Sequence, residues 1–184
     1  MGEAVSQGSS RLATADDYLR NAKAIAAVAD LAATHGIRLA LEVHQQSMVD
    51  NSWSALHLLE LVDRANFGIN PDLGNIYWTY DVPEETNEEA IVALAPHSKY
   101  WHCKNLYRIH APENERAYFI LVPLPDGNID YRFAISAMVE AGYDGYLAIE
   151  GANTGDQLHK DRRSLEYVSQ ILSEVEAAAP LHID

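Results

Sequence analysis

Four short apolar runs alternate with helical segments along this chain, and this alternation is the feature that most limits its fold. The runs are IRLALEV (37–43), FGIN (67–70), KYWHCKN (99–105) and YLAIE (146–150). Strands that are apolar on both faces and alternate with helices indicate a parallel sheet covered by helices. The length of each strand–helix unit is that of a (β/α)-barrel, so the sequence predicts an α/β fold that forms part of such a barrel.

Helix boundaries follow from capping residues and breakers. Thr14 begins a helix that Gly36 ends, Ser52 is the predicted cap of the second helix, and Thr86 with Glu89 forms a capping box for the third. A helix at about 130–141 and one beginning at Asp161 follow, after a predicted hairpin strand at 115–122 that leads into the turn 125–127. The predicted apolar faces comprise Leu19, Ile25, Val28 and Leu31 in the first helix, and Leu165, Val168, Ile171, Leu172 and Val175 in the last.

Composition excludes several classes of protein. The 184 residues, 48% of them hydrophobic, predict a single globular domain spanning 1–184 with a flexible segment at 1–13. No apolar run reaches the ~20 residues of a membrane helix, and no signal-peptide pattern opens the chain. A net charge of −14 argues against nucleic acid and anionic membranes as partners. The single cysteine, Cys103, allows no internal disulfide, so we expect a cytoplasmic protein.

Polar side chains that bind metals occur at or near the end of each apolar run. Glu42, Asp72, His102 and Glu150 belong to four different runs, and the carboxyl ends of parallel strands meet at one edge of the sheet. Three carboxylates in one place repel each other unless a cation lies between them. The oxygen-rich set suits Mn²⁺, Mg²⁺, Co²⁺ or Zn²⁺, which polarises a carbonyl or hydroxyl group of a substrate.

Each residue of this set also has a structural interpretation, because a lone acid at a strand end is usually a cap or a surface group. The joint pattern favours the metal site. Further candidates for substrate binding are His44, Asn75, Lys104 and Arg108. His44 shares a strand face with Glu42 or is only a stabilising polar residue, Asn75 binds a ligand or closes a turn, and Lys104 is a ligand group or a solvated one.

The motifs resemble those of the xylose isomerase-like TIM-barrel superfamily, the sugar phosphate isomerases and epimerases. LALEVH resembles its glutamate-bearing fifth strand, NPDLGN its D-T-x-H segment and WHCKN its H-V-K-D segment, while 126–151 resembles its C-terminal G-x-x-D-Y…I-E pattern. The resemblance extends from Asp16 to near the end of the chain. It implies a TIM-barrel type fold of which this chain carries the last four strand–helix units.

The resemblance also implies a function. One divalent metal, with Mn²⁺ preferred, is expected on Glu42, Asp72, His102 and Glu150, and the two glutamates are expected to act as the acid/base pair of a sugar or polyol isomerase or epimerase. Three departures weaken a ketose 3-epimerase assignment: Asn75 replaces a histidine, Asn105 an acid and Met48 a second glutamate. A dehydratase of inosose or dehydroshikimate type, and a non-catalytic half-barrel, are therefore alternatives.

A metal-dependent endonuclease on the same fold is disfavoured by the acidic charge. A complete barrel needs about 250 residues. The sequence is therefore either a fragment of a longer protein or a half-barrel. A half-barrel alone exposes two sheet edges and apolar surface, so for a chain that is stable alone we expect a homo-oligomer or a partner chain that completes the barrel.

Overall fold

The structure is a computed structural model that describes residues 9–78, 85–111, 113, 116–151 and 155–178. The helices are α1 (Ala15–Ala33), α2 (Ser52–Val62), α3 (Leu73–Tyr77), α4 (Asn87–Leu94), α5 (Tyr131–Glu140) and α6 (Gln157–Ala178). The strands are β1 (Leu39–Glu42), β2 (Phe67–Asn70), β3 (Trp101–Cys103), β4 (Asn105–Ala111), β5 (Arg116–Val122) and β6 (Leu147–Ile149).

Four of the strands run parallel in the order β1-β2-β3-β6. β1 pairs with β2 and β3 pairs with β6, both in parallel register. The two pairs are joined by a parallel bridge between Ile69 and Ser98, and the Lys99 backbone N–H donates to the Ile69 carbonyl at 2.9 Å. Helices lie between consecutive strands, which confirms the predicted arrangement of four strand–helix units.

Capping residues set the helix starts. Thr14 and Asp17 form a capping box at α1, and the predicted capping box of Thr86 and Glu89 is present at α4. The prediction of Ser52 as the cap of α2 is wrong. Asn51 holds that position and accepts a hydrogen bond from the Ser54 backbone N–H at 3.0 Å.

An antiparallel hairpin leaves the end of β3. β5 confirms the predicted hairpin strand, and it pairs along its whole length with β4. β4 was not predicted from the sequence, although Tyr107 and Ile109 are good strand formers. The hairpin lies against the segment after β2, because the rings of Trp78 and Phe119 have centroids 5.5 Å apart.

The two outer strands are less buried than the inner ones. All four residues of β2 are buried, whereas the three residues of β6 are only half-buried and Ala40 of β1 is exposed. No described strand pairs with the free edge of β1 or of β6. The four-stranded sheet therefore ends in two open edges.

Helices α1 and α6 expose several residues of the apolar faces that were predicted for them. α1 buries Tyr18, Ala22, Ala29 and Ala32 instead of the predicted leucines and valine. The exposed large residues on the two helices are Leu19 (55%), Val28 (56%), Leu31 (63%), Leu158 (69%), Leu165 (57%) and Leu172 (37%). Val168 and Ile171 of α6 are buried and Ile25 of α1 packs against the core, so each predicted apolar face is covered only in part.

The predicted flexible segment 1–13 lies partly outside the described residues. Ser9 and Ser10 are buried, and the Ser10 hydroxyl accepts a hydrogen bond from Asn51 Nδ2 at 2.9 Å. None of the described helices combines the length and the hydropathy needed to cross a membrane.

Candidate metal centre

The carboxyl ends of the four parallel strands bring Glu42, Asp72, His102 and Glu150 together. Each of the four offers one ligand atom, and these atoms all lie within 4.8 Å of one another. Glu42 is the last residue of β1, Asp72 follows β2 by two residues, His102 lies within β3 and Glu150 follows β6 directly. The cluster that the sequence predicts is therefore present, and each strand of the sheet contributes one member.

Glu42 is held in place by Asn75. The amide Nδ2 of Asn75 donates hydrogen bonds to Glu42 Oε1 at 2.8 Å and to the Val43 carbonyl at 3.0 Å. The same Glu42 oxygen lies 3.5 Å from His102 Nδ1. Asn75 thus fixes a carboxylate that comes from a strand 33 residues earlier in the chain.

Asp72 divides its two oxygens between the fold and the cluster. It is fully buried, and Oδ1 accepts the backbone N–H of Asn75 at 3.1 Å as the N-cap of α3. Oδ2 faces His102 Nδ1 at 3.9 Å. Burial raises the pKa of Asp72 to about 6, because loss of solvent outweighs the opposing effect of the Lys104 ammonium.

Backbone contacts position His102 and Glu150. The backbone N–H of His102 donates to Asn70 Oδ1 at 2.7 Å, and that of Glu150 donates to the Cys103 carbonyl at 2.9 Å. His102 Nδ1 lies 3.9 Å from Glu150 Oε2. Asn70, the last residue of β2, was not among the predicted site residues. A polar side chain at the end of the apolar run FGIN could have indicated its role.

Lys104 reaches into the cluster from the end of β3. Its side chain is 6% exposed, and Nζ lies 2.9 Å from Glu150 Oε2 and 3.0 Å from Asp72 Oδ2. Nζ donates a hydrogen bond to Glu150 Oε2, whereas its contact with Asp72 Oδ2 is an ion pair and not a hydrogen bond. Burial alone would lower the pKa of Lys104, but the two carboxylates outweigh burial and raise it.

Gly74 and Tyr131 make room for this lysine and fix it. A Cβ atom on Gly74 would lie 2.3 Å from Lys104 Cγ, so only glycine leaves space for the side chain. The hydroxyl of the buried Tyr131 donates to the Lys104 carbonyl at 2.8 Å. Neither Gly74 nor Tyr131 was assigned a role from the sequence, because each contacts Lys104 from a distant part of the chain.

The donor set fits a divalent cation. Three carboxylates and one imidazole are ligands that Mn²⁺, Mg²⁺, Co²⁺ and Zn²⁺ accept. Within the described part of the protein, neither of the buried atoms Asp72 Oδ2 and His102 Nδ1 makes a hydrogen bond, although the Lys104 ammonium lies 3.0 Å from Asp72 Oδ2. The cluster could therefore hold one metal ion.

The remaining predicted substrate-binding residues occupy different places. His44 is exposed and lies beyond the end of β1, so the strand-face argument does not apply; its Nδ1 is 2.8 Å from the Gln45 carbonyl oxygen. Arg108 lies opposite Phe119 in the hairpin. Asn75 and Lys104 contact the cluster directly. A role in substrate binding stays a prediction for all four.

Comparison with known proteins identifies the family. Residues 3–171 match the family described as xylose isomerase-like TIM barrel. The chain belongs to this family. The resemblance and the TIM-barrel type fold predicted from sequence are thereby confirmed.

Three relatives illustrate the range of the family. The chain is 27% identical to the 3-dehydroshikimate dehydratase of Bacillus anthracis, over 75% of this chain and 51% of that protein. It is 28% identical to the ketose 3-epimerase of Arthrobacter globiformis, over 75% of this chain and 43% of that protein. A xylose isomerase-like TIM-barrel protein from Mycobacterium smegmatis, solved in complex with magnesium, superposes with a TM-score of 0.78 at 27% identity, over 89% of this chain and 53% of that one.

The chain spans about half the length of the curated relatives that it matches. This agrees with the four-stranded parallel sheet and its two open edges, which form part of a barrel. The family relation therefore identifies the fold of this chain.

Proposed function

We propose that the chain carries the metal centre of a divalent-metal-dependent isomerase or epimerase that acts on a sugar or polyol. The observation that carries this proposal is the cluster of four ligand atoms within 4.8 Å of one another at the carboxyl ends of four parallel strands. Glu42, Asp72, His102 and Glu150 would hold the ion, with Mn²⁺ preferred. The family relation and the epimerase relative support the choice of reaction.

The two glutamates are the proposed acid/base pair. Glu42 and Glu150 lie on the outer strands of the sheet, so they approach a substrate at the cluster from two directions. One carboxylate removes the proton from the carbon next to a carbonyl, and the other returns a proton to the opposite face or to the neighbouring oxygen. A bound divalent cation would polarise the carbonyl and stabilise the negative charge that this step creates.

The surrounding residues orient the pair and the substrate. Asn75 holds Glu42 through Oε1, which leaves the other carboxylate oxygen for proton transfer. Asn75 Oδ1 is buried and hydrogen bonds to no described residue, so it could accept a substrate hydroxyl group. His44, Lys104 and Arg108 are the other proposed contacts.

A dehydratase is the second candidate, in which the same base and metal expel a hydroxyl group as water. Its support is the match to the 3-dehydroshikimate dehydratase and the residue at position 48, where Met48 packs against the core instead of the further glutamate that the resemblance to ketose epimerases would place there. An NMR assay in D₂O separates the two reactions. Deuterium exchange and a stereoisomeric product from a ketose or an inosose would support the isomerase or epimerase; loss of water would support the dehydratase.

We also infer that additional strand–helix units complete the pocket wall. The open edges of β1 and β6 and the exposed leucines of α1 and α6 fit the flanks of such units. The relatives carry about as much chain again as this protein covers. A metal-binding chain that turns over no ketose or inosose until such units are supplied would be a half-barrel that is inactive alone.

A further inference from the structure

Lys104 occupies an unusual position for a lysine, because it is buried among the proposed ligands of a cation. Its ammonium contacts Asp72 Oδ2 at 3.0 Å and Glu150 Oε2 at 2.9 Å. These two oxygens are also the atoms of Asp72 and Glu150 that approach His102 Nδ1, each at 3.9 Å. A divalent cation held by the cluster would therefore compete with the lysine for these two oxygen atoms.

The fold fixes Lys104 in this position. Gly74 leaves room for its methylene groups and Tyr131 binds its carbonyl. A buried ammonium without partners is costly, whereas one that is paired with two carboxylates is stabilised. The lysine therefore belongs to the cluster and is not a solvated surface group.

We propose that Lys104 is a built-in counter-charge of the metal centre: it stabilises the empty cluster, weakens cation binding, and makes the loaded centre electrically neutral. This inference rests on the proposed function. With His102 neutral, three carboxylates, one ammonium and one divalent cation carry no net charge. The cluster without the lysine would carry one negative charge when loaded, and that charge would oppose the build-up of negative charge on a substrate oxygen.

The proposal predicts an effect on metal affinity that a purely structural lysine would not have. A positive charge about 3 Å from ligand oxygens repels a second cation bound to the same atoms. Lys104→Met keeps an unbranched side chain of nearly the same length and removes the charge. Lys104→Gln also removes the charge but keeps a hydrogen-bond donor, so it serves if the methionine variant does not fold.

The test is titration of Mn²⁺ into metal-free protein by calorimetry, with thermal unfolding of the metal-free and metal-saturated forms. Both neutral variants should bind Mn²⁺ at least about tenfold more tightly than the wild type. Their metal-free forms should unfold at a lower temperature, and saturation with Mn²⁺ should recover most of that loss. Lys99→Met is the matched control, because Lys99 packs over Gly68 before the start of β3, away from the ligand-bearing strand ends.

Two other results would overturn the proposal. If the neutral variants bind Mn²⁺ as tightly as the wild type or more weakly, Lys104 only supports the ligands and is not a counter-charge. If neither the wild type nor the variants bind Mn²⁺, the proposed metal centre fails together with this inference. The two failures are distinguished by the wild-type titration alone.

Discussion

Asn75 Nδ2 donates a hydrogen bond to Glu42 Oε1 at 2.8 Å, and so joins the loop after one strand to the carboxylate at the end of the neighbouring strand. A hydrogen bond to a charged group contributes about 1.5–3 kcal/mol, and here it also selects the direction of the carboxylate. Asn75, which stands where the family motif has a histidine, therefore positions Glu42, a proposed metal ligand.

Replacing Asn75 with alanine should weaken Mn²⁺ binding by about tenfold, because Glu42 loses the contact that fixes it. Calorimetric titration of the metal-free variant measures this. Asn128→Ala is a suitable control, since Asn128 accepts the Arg108 backbone N–H in the hairpin, outside the cluster. Wild-type affinity in Asn75→Ala would show that Glu42 needs no support from this amide.

Metal content gives the most direct check of the four-residue cluster. Plasma mass spectrometry after gel filtration should find about one divalent ion per wild-type chain and none in Asp72→Asn/Glu150→Gln, since the site would lose two of its three negative charges. The asparagine keeps the oxygen that caps α3. The control Asp126→Asn/Glu174→Gln removes two surface carboxylates that pair with Arg163 and Arg132, and it should retain the metal. A metal-free wild type would contradict the site.

The stability of the metal-free protein should depend on pH through Asp72. Its pKa is raised from 3.8 to about 6 in the folded protein, so between these values the folded state holds a proton that the unfolded state has lost. The stabilisation from that proton is complete below pH ~4 and is lost as the pH rises through ~6.

Urea unfolding of the wild type and Asp72→Asn at several pH values measures this effect. The free energy of unfolding of the wild type, relative to the variant, should fall by on the order of 2–3 kcal/mol between pH ~4 and pH ~7. Saturating Mn²⁺ should abolish the fall, because the ion stabilises the ionised carboxylate. A flat difference in the metal-free proteins would mean that Asp72 is already ionised at pH ~4.

The purified chain should self-associate if no other chain covers its edges. Exposed leucines at 158, 165 and 172 lie at seven-residue spacing on α6, the helix that follows β6, and no described strand covers the outer edge of β6. Light scattering should give a mass of two chains or more, and Leu158→Lys/Leu165→Lys should shift it towards one chain.

Val92→Lys/Val139→Lys is the matched control, because these exposed valines lie on α4 and α5 between the edges. A stable wild-type monomer at micromolar concentration would contradict self-association.

Asn105→Asp should destabilise the fold, although it restores an acid that the family motif contains. Asn105 Nδ2 donates to the carbonyls of Leu124 and Ile129 at 2.7 and 3.0 Å, and its Oδ1 accepts the Ile129 backbone N–H at 3.0 Å. A carboxylate cannot donate these bonds and would face two carbonyl oxygens in a buried position, at an expected cost of about 2–4 kcal/mol.

Thermal unfolding measures the loss in Asn105→Asp, and the Mn²⁺ affinity of the folded fraction should stay near the wild-type value. A stable variant with altered affinity would instead assign Asn105 to the site. The departure from the family motif at this position is thus explained by the hairpin, which Asn105 joins to the segment before α5.

The sequence allowed the cluster to be predicted because parallel topology alone brings strand ends together. Recognition of three strands was enough to predict Glu42, His102 and Glu150 as members of the cluster, and recognition of a fourth strand, β2, added Asp72. The contacts of Asn75 with Glu42 depend on side-chain directions between segments far apart in the chain, which no local pattern contains. The helix α3 was missed because a five-residue element with glycine and asparagine has little helical propensity, although Asp72 is a good N-cap.

The apolar faces predicted for α1 and α6 are only partly buried, and the reason is the same for both helices. The apolar periodicity of α1 and α6 correctly located helices, but periodicity does not tell which of two flanks meets the same chain. Val28 and Leu165 are exposed, whereas Ala29 and Val168 are buried in the core. Burial could be predicted for β2 and β3, which have neighbours on both sides, and not for the outer elements.

The close approach of Gly74 to Lys104 has an evolutionary consequence. A side chain at position 74 would overlap the lysine methylenes, with a Cβ to Cγ distance of 2.3 Å. Homologues that keep a lysine at position 104 should therefore conserve glycine at position 74, and those with a bulkier residue there should carry a shorter one at 104. The two positions should therefore covary, so a change in the charge of the proposed metal centre requires coordinated substitutions in α3 and at the end of β3.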